Sequence, residues 1–283
     1  MTTNLSARRR RVSLSTILQV LTCSVVALFV LIPLASTAIN GLKTNGQLMT
    51  EPFSLPDPIY WANYQTILTS PNFWRQLTNS GVVMLATVLL TVLVASLAAF
   101  VIARYNFVGR TLVFNFFTLG MLFPLTVAIL PLYVLIRQLG LVDSLWGVIL
   151  PQVAFGLPVN ILILRDYFKA IPVEMEEAAA IDGCGPVGFF WRVLLPLSRP
   201  VLAAVSMLVM VGSWNSFLLP LLVLNSEKSW TLPLGVMQFQ GQYSSDWALV
   251  MAFVTISIMP AILFYLLAER HLVAGLTAGS VKG

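Results

Sequence analysis

Residues that could do chemistry are few in this sequence, and the acidic ones are gathered in one place. The stretch at residues 171–200, IPVEMEEAAAIDGCGPVGFFWRVLLPLSRP, together with Asp166 just upstream, holds five of the eleven acidic residues. The two cysteines, Cys23 and Cys184, and the single histidine, His271, have no metal-ligand spacing, and no disulfide is expected. The sequence contains no P-loop, no Ser/His/Asp set and no paired carboxylates within an apolar run. We therefore expect no catalytic site, no metal site and no cofactor of its own, and an intramembrane hydrolase is the least favoured class.

The composition indicates a membrane protein. Of the 283 residues, 58% are hydrophobic and 10% are charged, whereas charged residues make up about 25% of a soluble domain. The mean hydropathy is +0.88. The net charge of +5 is spread over the ends of apolar runs and forms no single patch, so it indicates orientation in a membrane and not binding to nucleic acid. The expected fold class is an all-α integral membrane protein.

Six uncharged apolar runs are long enough to cross a bilayer as helices. Their predicted bounds are 17–39, 79–103, 111–136, 145–164, 201–224 and 247–268. They divide the chain into an N-terminal segment at 1–15, a transmembrane domain at 16–268 and a C-terminal tail at 269–283. A basic start before an apolar core is also the pattern of a cleavable signal peptide. The first run is longer than such a core, which favours an uncleaved first helix.

The basic residues are distributed unequally between the segments that join these runs. Six spans place both termini on the same side. With the N-terminus in the cytoplasm, twelve of the sixteen basic residues are cytoplasmic and four are outside, namely Lys43, Arg75, Arg137 and Lys228. This asymmetry obeys the positive-inside rule. It predicts that residues 165–200 form a cytoplasmic loop and that both termini are cytoplasmic.

No ionisable residue lies deep within a predicted span. Such residues usually mark the pathway in proton- and ion-coupled transporters, so their absence disfavours a secondary transporter. A self-sufficient six-span channel or secondary transporter is the alternative from a different class. Prolines interrupt the third to sixth runs, and the fourth run is expected to be interrupted at Pro151, Gly156 and Pro158. Broken helices are tolerated where they pack on protein or line a watery cavity. The prolines fit a path through a helical bundle, although packing explains any single one of them equally well.

The stretch at 171–200, called the polar segment below, is predicted to form two short helices joined by a turn. Pro172 suits a first helical turn, the glutamates that follow favour the positive end of the helix dipole, and Gly183 is a good helix stop. Pro186 can open a second helix, which Pro196 ends. The aromatic residues 189–191 are expected at the bilayer surface or in the groove of a partner. The alternative for the whole segment is an amphipathic interfacial helix without a partner.

The spacing within the polar segment resembles the EAA signature of ABC-importer permease subunits. That signature is Glu-Ala-Ala, three residues, glycine, nine residues, then Ile-x-Leu-Pro. The sequence has Glu177-Ala178-Ala179, Gly183 and Val193-Leu194-Leu195-Pro196 at those positions, with Val193 as the only departure. The resemblance implies that cytoplasmic ATPase subunits bind the segment. The residues implied in this coupling are Glu177, Ala178, Ala179, Asp182, Gly183 and Pro196.

The resemblance covers most of the chain and is greatest with the smaller permease subunits of the maltose-type, carbohydrate-uptake branch. The other matching pieces are Asn63-Tyr64, Asn79-Ser80, Pro131–Tyr133, Leu139–Leu141, Ile181–Gly183, Trp214-Asn215, Leu219–Leu221 and Gly275–Gly283. It implies the six-helix type I importer fold, with a cytoplasmic coupling-helix loop, in the bacterial cytoplasmic (inner) membrane. The implied substrate is a sugar or oligosaccharide.

The resemblance also implies partners. A second, related permease would complete the pore as a heterodimer within the membrane lipid. Two cytoplasmic ATPase subunits would bind ATP and magnesium, and an external solute-binding protein would deliver the sugar. The outer loop, residues 226–246, would face that binding protein, and the C-terminal tail would reach into the ATPase interface.

Sugar recognition needs hydrogen-bonding side chains and an aromatic face inside a concave site. Side chains of these types at plausible depth are Asn115, Gln152, Phe155, Asn160, Ser213, Trp214, Asn215 and Ser216. Each could instead make an interhelical hydrogen bond or a packing contact, and in maltose-type systems the partner permease makes most of the sugar contacts. The alternative within the family is an importer of glycerol-3-phosphate or another sugar derivative. A phosphate substrate would favour a basic group near the pore, and the sequence places none there.

Overall fold

The computed structural model describes residues 14–241 and 245–278, and the backbone over these ranges is mostly helical. The helices are α1 (Leu14–Asn40), α2 (Asn45–Thr50), α3 (Ala62–Thr69), α4 (Pro71–Arg104), α5 (Arg110–Gly120), α6 (Leu125–Gln138), α7 (Trp146–Ala170), α8 (Glu174–Ile181), α9 (Pro186–Phe189), a π-helical turn (Phe190–Leu194), α10 (Leu195–Leu197), α11 (Arg199–Trp214), α12 (Leu218–Val223), a 3-10 helix (Leu232–Phe239) and α13 (Trp247–Ala278). Most of the predicted N-terminal segment lies outside the described residues. The predicted tail begins within α13, and its end at 279–283 is also outside them.

Four of these helices, α1, α4, α7 and α13, are long and apolar enough to cross a membrane. Two bent pairs also qualify when each is taken as one span. One pair is α5 with α6, bent by 101°, and the other is the helical run Pro186–Leu197 with α11, bent by 78°. The described part of the chain therefore contains four to six candidate spans, and the predicted all-α membrane fold class is confirmed.

The third predicted span, 111–136, is not one helix. α5 ends at Gly120 and α6 begins at Leu125, with 101° between the two helices. Pro124 accounts for the break because it has no N–H to donate and disfavours helical backbone at the residue before it. Pro131, by contrast, stays inside α6.

The fifth predicted span, 201–224, is also interrupted. α11 ends at Trp214, and the Asn215 side chain donates from Nδ2 to the Val211 carbonyl at 3.0 Å. A new helix, α12, begins at Leu218, which places Pro220 in its first turn. A missing N–H costs no hydrogen bond there, so the proline is compatible with a restarted helix and not with an unbroken one.

The second predicted span, 79–103, is shorter than the helix that contains it, because α4 begins at Pro71. Proline suits the first helical position. The polar residues that follow it form the first turns of the same helix, and a hydropathy pattern does not detect these turns. At 1.5 Å per residue the 34 residues of α4 span about 51 Å, well beyond the roughly 30 Å hydrocarbon core of a bilayer.

The fourth predicted span, 145–164, was expected to be interrupted at Pro151, Gly156 and Pro158. This expectation is wrong, because all three lie inside the unbroken helix α7, which continues to Ala170. A Cβ added at Gly120 of α5 would lie 3.1 Å from the Pro158 Cγ. Packing of a neighbouring helix therefore supports α7 where the proline removes a backbone hydrogen bond.

The chain forms two compact units, one from Met1–Ile67 and Ser245–Thr255 and the other from Leu68–Ser244 and Ile256–Gly283. In the first unit, the Asn63 side chain donates to the carbonyls of Gly41 and Lys43 at 2.9 and 2.8 Å. The Tyr64 hydroxyl donates to the Ala38 carbonyl at 2.8 Å. Asn63 and Tyr64 therefore fix the backbone at the end of α1 and the turn after it.

Lys43 is not the surface charge that the positive-inside count assumed. Its side chain is fully buried within the first unit, where Nζ donates to the carbonyls of Glu51 and Pro52 at 2.8 and 3.2 Å. Because the ammonium group bonds to backbone oxygens, it satisfies polar groups that would be costly to bury unpaired. Lys43 thus serves the folding of the segment between α1 and α3.

In the second unit, α4 and α7 form the most extensive helix pair. An apolar cluster lies towards each end of this pair, with Phe100 and Phe168 in one cluster and Val83 and Val148 in the other. Between the clusters the sequence supplies polar side chains, among them the buried Thr91. A polar layer between two apolar cores can accommodate a hydrophilic site at the middle of a bundle.

The start of the outer loop is fastened to the second unit from two sides. The Asp143 carboxylate accepts the backbone N–H groups of Asn225 and Ser226 at 3.0 and 2.9 Å. The Asn79 side chain donates to the Lys228 and Trp230 carbonyls, both at 2.9 Å. The loop is thereby held close to the outer turns of α4.

Asp143 gives this fastening a pH dependence. Desolvation alone would raise the pKa of the Asp143 carboxyl, but the hydrogen bonds from Ser226, Ser229 and Asn225 together lower it below its usual range. A lowered pKa in the folded state means that the stabilisation is complete above about pH 4 and is lost as the pH falls through the folded-state pKa.

We expect Asp143→Ala to speed amide exchange at Asn225 and Ser226 by about tenfold at pH 7. Hydrogen exchange measured by mass spectrometry tests this.

The same measurement at lower pH provides the control. Exchange in the wild-type loop, corrected for its intrinsic pH dependence, should accelerate below about pH 4 and approach that of Asp143→Ala. Equal protection of the loop in both proteins at neutral pH would contradict the role of Asp143.

Candidate functional site

The first half of the polar segment is a helix with a specific stop. α8 covers Glu174–Ile181, and Gly183 follows with a φ of +77°. The Cys184 N–H donates to the Ala179 carbonyl at 2.8 Å and the Gly183 N–H donates to the Ala180 carbonyl at 3.0 Å. This pair of bonds is a Schellman motif, in which the left-handed residue is usually glycine. The helix stop predicted at Gly183 is confirmed.

The second half of the polar segment departs from the prediction, because Pro196 does not end its helix. α9 continues through a π-helical turn, Phe190–Leu194, into α10, which contains Pro196. The Leu195 N–H donates to the Phe190 carbonyl five residues earlier. A π turn is a single wide turn that appears at irregular positions in helices, and here it lets the backbone continue past a proline. The helical run ends at Ser198, before the 78° bend into α11.

Most residues implied in coupling are on the surface. Glu177, Ala178, Asp182, Gly183 and Pro196 are exposed. The other coupling residue, Ala179, is half-buried and packs against the core cluster beneath the segment. The structure thus presents one acidic and small-residue face outward and anchors the helix by the opposite face.

The aromatic residues of the segment are mostly internal, contrary to expectation. Phe189 and Phe190 are each 2% exposed, and their ring centroids lie 6.3 and 5.2 Å from that of Phe100 on α4. The apolar side chains that do project are Ile181 and Val187, which are 87% and 72% exposed. The sequence did not indicate these two residues, because a single aliphatic residue forms no recognisable pattern, whereas three consecutive aromatic residues do.

Arg104 ties the segment to the end of α4. Its Nη2 donates to the Ile171 carbonyl at 2.9 Å, and its Nε lies 3.8 Å from the Glu176 Oε2. The Arg104 side chain is 7% exposed. Sequence reasoning counted this residue only as an orientation signal. Its role depends on the bend of the chain after α7, which brings α8 back beside α4.

A cavity of about 300 Å³ lies in the second unit between α4, α6, α7 and α11, and it is called the polar cavity below for the amide and hydroxyl side chains in its mostly apolar wall. Small-molecule sites in proteins begin at about this size. Five residues predicted for the substrate path or its neighbourhood contribute to its wall: Gln152, Phe155, Asn160, Ser213 and Ser216. Thr87 of α4 also lines it, and sequence reasoning missed this residue because a threonine within an apolar run is unremarkable.

Gln152 is the centre of the hydrogen bonding in the polar cavity. Its Oε1 accepts from the Thr87 hydroxyl at 3.2 Å and from the Ser213 hydroxyl at 2.7 Å. Its Nε2 is buried and has no partner within the described part of the protein, and the same is true of the Asn160 Oδ1. A buried donor and a buried acceptor without partners are costly unless a ligand or water satisfies them.

Three other residues predicted for the substrate path do not line this cavity. Asn115 is exposed on α5. Trp214 is buried with its ring centroid 5.7 Å from that of Phe264, in an edge-to-face contact. Asn215 uses its side chain to cap α11. Trp214 and Asn215 are therefore placed as packing and capping residues by the same helix end that breaks the fifth predicted span.

Comparison with known proteins identifies the class of protein to which this chain belongs. Residues 91–277 match the family model of binding-protein-dependent transport system inner membrane components. A putative ABC transporter permease protein of Caldicellulosiruptor sp. is 35% identical over 89% of this chain and 92% of its own length. The diacetylchitobiose uptake system permease protein NgcG of Streptomyces coelicolor is 31% identical over 90% of this chain and 85% of its own length.

The fold agrees with this class. The crystal structure of a bacterial ABC transporter involved in the import of the acidic polysaccharide alginate contains a chain that matches with a TM-score of 0.79, at 22% identity, over 95% of this chain and 99% of that one. This likeness concerns the fold alone. The chain belongs to the binding-protein-dependent transport system inner membrane component family, and it is a transporter permease subunit.

Proposed function

We propose that this chain imports a sugar or oligosaccharide as one permease subunit of an ATP-driven importer. Several relatives carry names that point to carbohydrates. They include permeases for diacetylchitobiose, starch degradation products, arabinooligosaccharides and sulfoquinovosyl glycerol, each 31–34% identical to this chain. The shared chemistry of these names is a polyhydroxylated solute, and the polar cavity suits such a solute.

The observation that carries the substrate class is the set of amide and hydroxyl side chains in the wall of the polar cavity. Gln152 Nε2 and Asn160 Oδ1 have no partner among the described residues, and Phe155 adds an aromatic face to the same wall. A sugar hydroxyl both donates and accepts, so it suits a wall that offers the amide groups of Gln152 and Asn160 and the hydroxyls of Thr87, Ser213 and Ser216. No lysine or arginine is among the described residues that line the cavity, which favours an uncharged sugar over glycerol-3-phosphate.

The proposal includes the partners that the resemblance implies. A second, related permease completes the pore as a heterodimer, a solute-binding protein delivers the sugar from outside, and two cytoplasmic ATPase subunits bind ATP and magnesium. The polar segment is the surface on which those subunits act, with the termini of this chain on the same side of the bacterial inner membrane. The exposed Glu177, Ala178 and Asp182 and the projecting Ile181 and Val187 support this docking role.

Gln152→Met tests the substrate path. Methionine keeps the side-chain volume but removes the free donor and the acceptor of two hydroxyls. We expect sugar uptake by the assembled importer to fall by about tenfold, since an unsatisfied buried polar group costs about 1–3 kcal/mol. Asn115→Met is the matched control, because it removes an exposed amide outside the cavity. Equal uptake by both variants, in protein of equal thermal stability, would exclude Gln152 from the path.

Glu177→Ala tests the coupling surface. This change removes an exposed carboxylate at the position of the EAA signature, and we expect sugar-stimulated ATP hydrolysis by the assembled complex to fall about fivefold, equivalent to about 1 kcal/mol. Glu174→Ala is the control, since it removes an exposed carboxylate from the first turn of the same helix. Full stimulation in Glu177→Ala would argue against coupling through this face. Solute flux through the purified chain alone, without ATPase subunits, would instead favour a self-sufficient channel.

A further inference from the structure

A second, basic cavity lies in the second unit at the end of the bundle next to the polar segment. Its volume is about 250 Å³, and the end of α4, the start of α5 and the end of α7 enclose it. It is lined by Ile102, Arg110, Thr111, Phe114, Arg165 and Lys169. Three of these six described residues carry a positive charge and none carries a negative one. Neither the proposed sugar path nor the coupling surface uses this cavity.

The cations of this cavity are only partly neutralised by the protein. Arg165 bonds through Nη1 to the neighbouring Asp166 at 2.8 Å, its guanidinium carbon lies 4.0 Å from the centre of the Phe114 ring, and its Nε is buried without an acceptor among the described residues. Lys169 is exposed and has no hydrogen bond or ion pair within those residues. Arg110 donates to the Ile102 and Ala103 carbonyls and to the Asn106 side chain, so these bonds engage all three of its nitrogens and hold its charge in place. The site therefore offers an anion the fixed positive charge of Arg110 together with the Arg165 guanidinium and the Lys169 ammonium.

An apolar groove lies farther along the same pair of helices, α5 and α7. It has a volume of about 430 Å³, and its walls come from α5 and α7. Phe116 on α5, Phe123 in the connection after α5, and Ala154 and Pro158 on α7 are among its lining residues. The surface of α5 beside it is strongly apolar, since Leu112 and Phe116 are both largely exposed.

The distance between the basic cavity and the apolar groove fits a molecule that has a negative head group and an acyl chain. Along α7, Pro158 in the groove and Arg165 and Lys169 in the basic cavity are separated by roughly 10–16 Å at 1.5 Å per residue. A single leaflet of a bilayer has a hydrocarbon thickness of about 15 Å, half of the core. A molecule with a negative head group and an acyl chain can therefore occupy both at once.

We propose that the basic cavity binds the phosphate group of an anionic phospholipid, with an acyl chain along the α5–α7 groove. Guanidinium and ammonium groups are the usual partners of phosphate in proteins, and basic pockets between membrane helices bind anionic lipid head groups. Free phosphate shares the head-group chemistry, but it gains nothing from the apolar groove. The apolar groove on the same two helices therefore assigns the site to the lipid.

The test is retention of phosphatidylglycerol by the purified, assembled importer, measured by native mass spectrometry. Wild-type complex should retain phosphatidylglycerol in preference to phosphatidylcholine. Arg165→Gln and Lys169→Gln should each lower that retention by about fivefold, since each basic group near the membrane surface contributes about 1 kcal/mol to binding anionic lipid. Arg137→Gln is the matched control, because it removes an exposed charge at the end of α6, away from both cavities. This readout is independent of transport, so it stands apart from the proposed function.

A second variant separates lipid from free phosphate. Ala154→Trp fills the apolar groove and leaves every charge in place, so it should lower phosphatidylglycerol retention while inorganic phosphate has no effect on wild type or variant. Thermal unfolding of each variant confirms that it is folded. The proposal is overturned if wild-type complex retains no phosphatidylglycerol, if Arg165→Gln, Lys169→Gln and Arg137→Gln retain it equally, or if inorganic phosphate displaces it from the site.

Discussion

Replacing Arg104 with methionine is expected to lower sugar-stimulated ATP hydrolysis by the assembled importer by at least tenfold. Methionine has a similar length but removes both the hydrogen bond to the Ile171 carbonyl and the charge opposite Glu176. Loss of one partner from a buried polar contact costs about 1–3 kcal/mol, and more for a charged pair. The polar segment then loses its charged link to α4, so motion of the segment is transmitted less completely. ATPase assays in nanodiscs, with the solute-binding protein and its sugar, measure the effect.

Arg192→Met provides the comparison, because Arg192 is an exposed arginine on the same segment. It should retain stimulation close to that of the wild type. Arg104→Lys should fall between the two, since an ammonium group keeps the charge but cannot reproduce two separate guanidinium contacts. Undiminished stimulation in Arg104→Met, in a complex that still assembles, would remove Arg104 from the coupling route.

Adding one methyl group at Gly147 is expected to destabilise the protein severely. A Cβ at this position would lie 2.3 Å from the Leu141 carbonyl oxygen, 2.8 Å from Val223 Cγ1 and 3.3 Å from Ile136 Cγ2. A backbone oxygen cannot rotate away as a side chain can, so Gly147→Ala must displace the turn before α7. Overpacking of a core costs about 1–3 kcal/mol and occasionally more. We expect the apparent melting temperature to fall by about 10 °C.

Gly81→Ala is the matched control for this prediction. Gly81 is also inside a helix, α4, but a Cβ there would meet no atom within 4 Å. Because alanine favours helix over glycine by about 1 kcal/mol, this variant should melt at the wild-type temperature or slightly above it. If the two variants had the same apparent melting temperature, the turn at Leu141 would be able to move at little cost in stability.

Local features of the fold could be predicted from the sequence because neighbouring residues determine them. The stop at Gly183 needs only a left-handed residue and two backbone hydrogen bonds within residues 179–184, so its sequence is sufficient. The membrane class follows from composition, which is a property of the whole chain. Gln152 and Asn160, which were predicted for the substrate path, line the polar cavity, because polar amides in an apolar run must face something other than lipid.

Other features depended on packing that no local pattern encodes. Pro158 leaves α7 intact because α5 supports it, whereas Pro124 breaks the helical run between α5 and α6. Phe189 and Phe190 turn inward because the chain bends and brings them against Phe100. The basic cavity joins residues from three helices, so its charges are far apart in the sequence and become a cluster only in the fold.

The length of α4 has a mechanical consequence. Near its outer end Asn79 holds the start of the outer loop, and at its other end Arg104 holds the polar segment. The two residues are on one unbroken helix and are about 38 Å apart at 1.5 Å per residue. A helix resists compression along its axis because hydrogen bonds close every turn, so α4 is a stiff link between its two ends. We therefore expect a displacement of the polar segment along the α4 axis to reach the start of the loop at residues 226–246, at the opposite end of the helix.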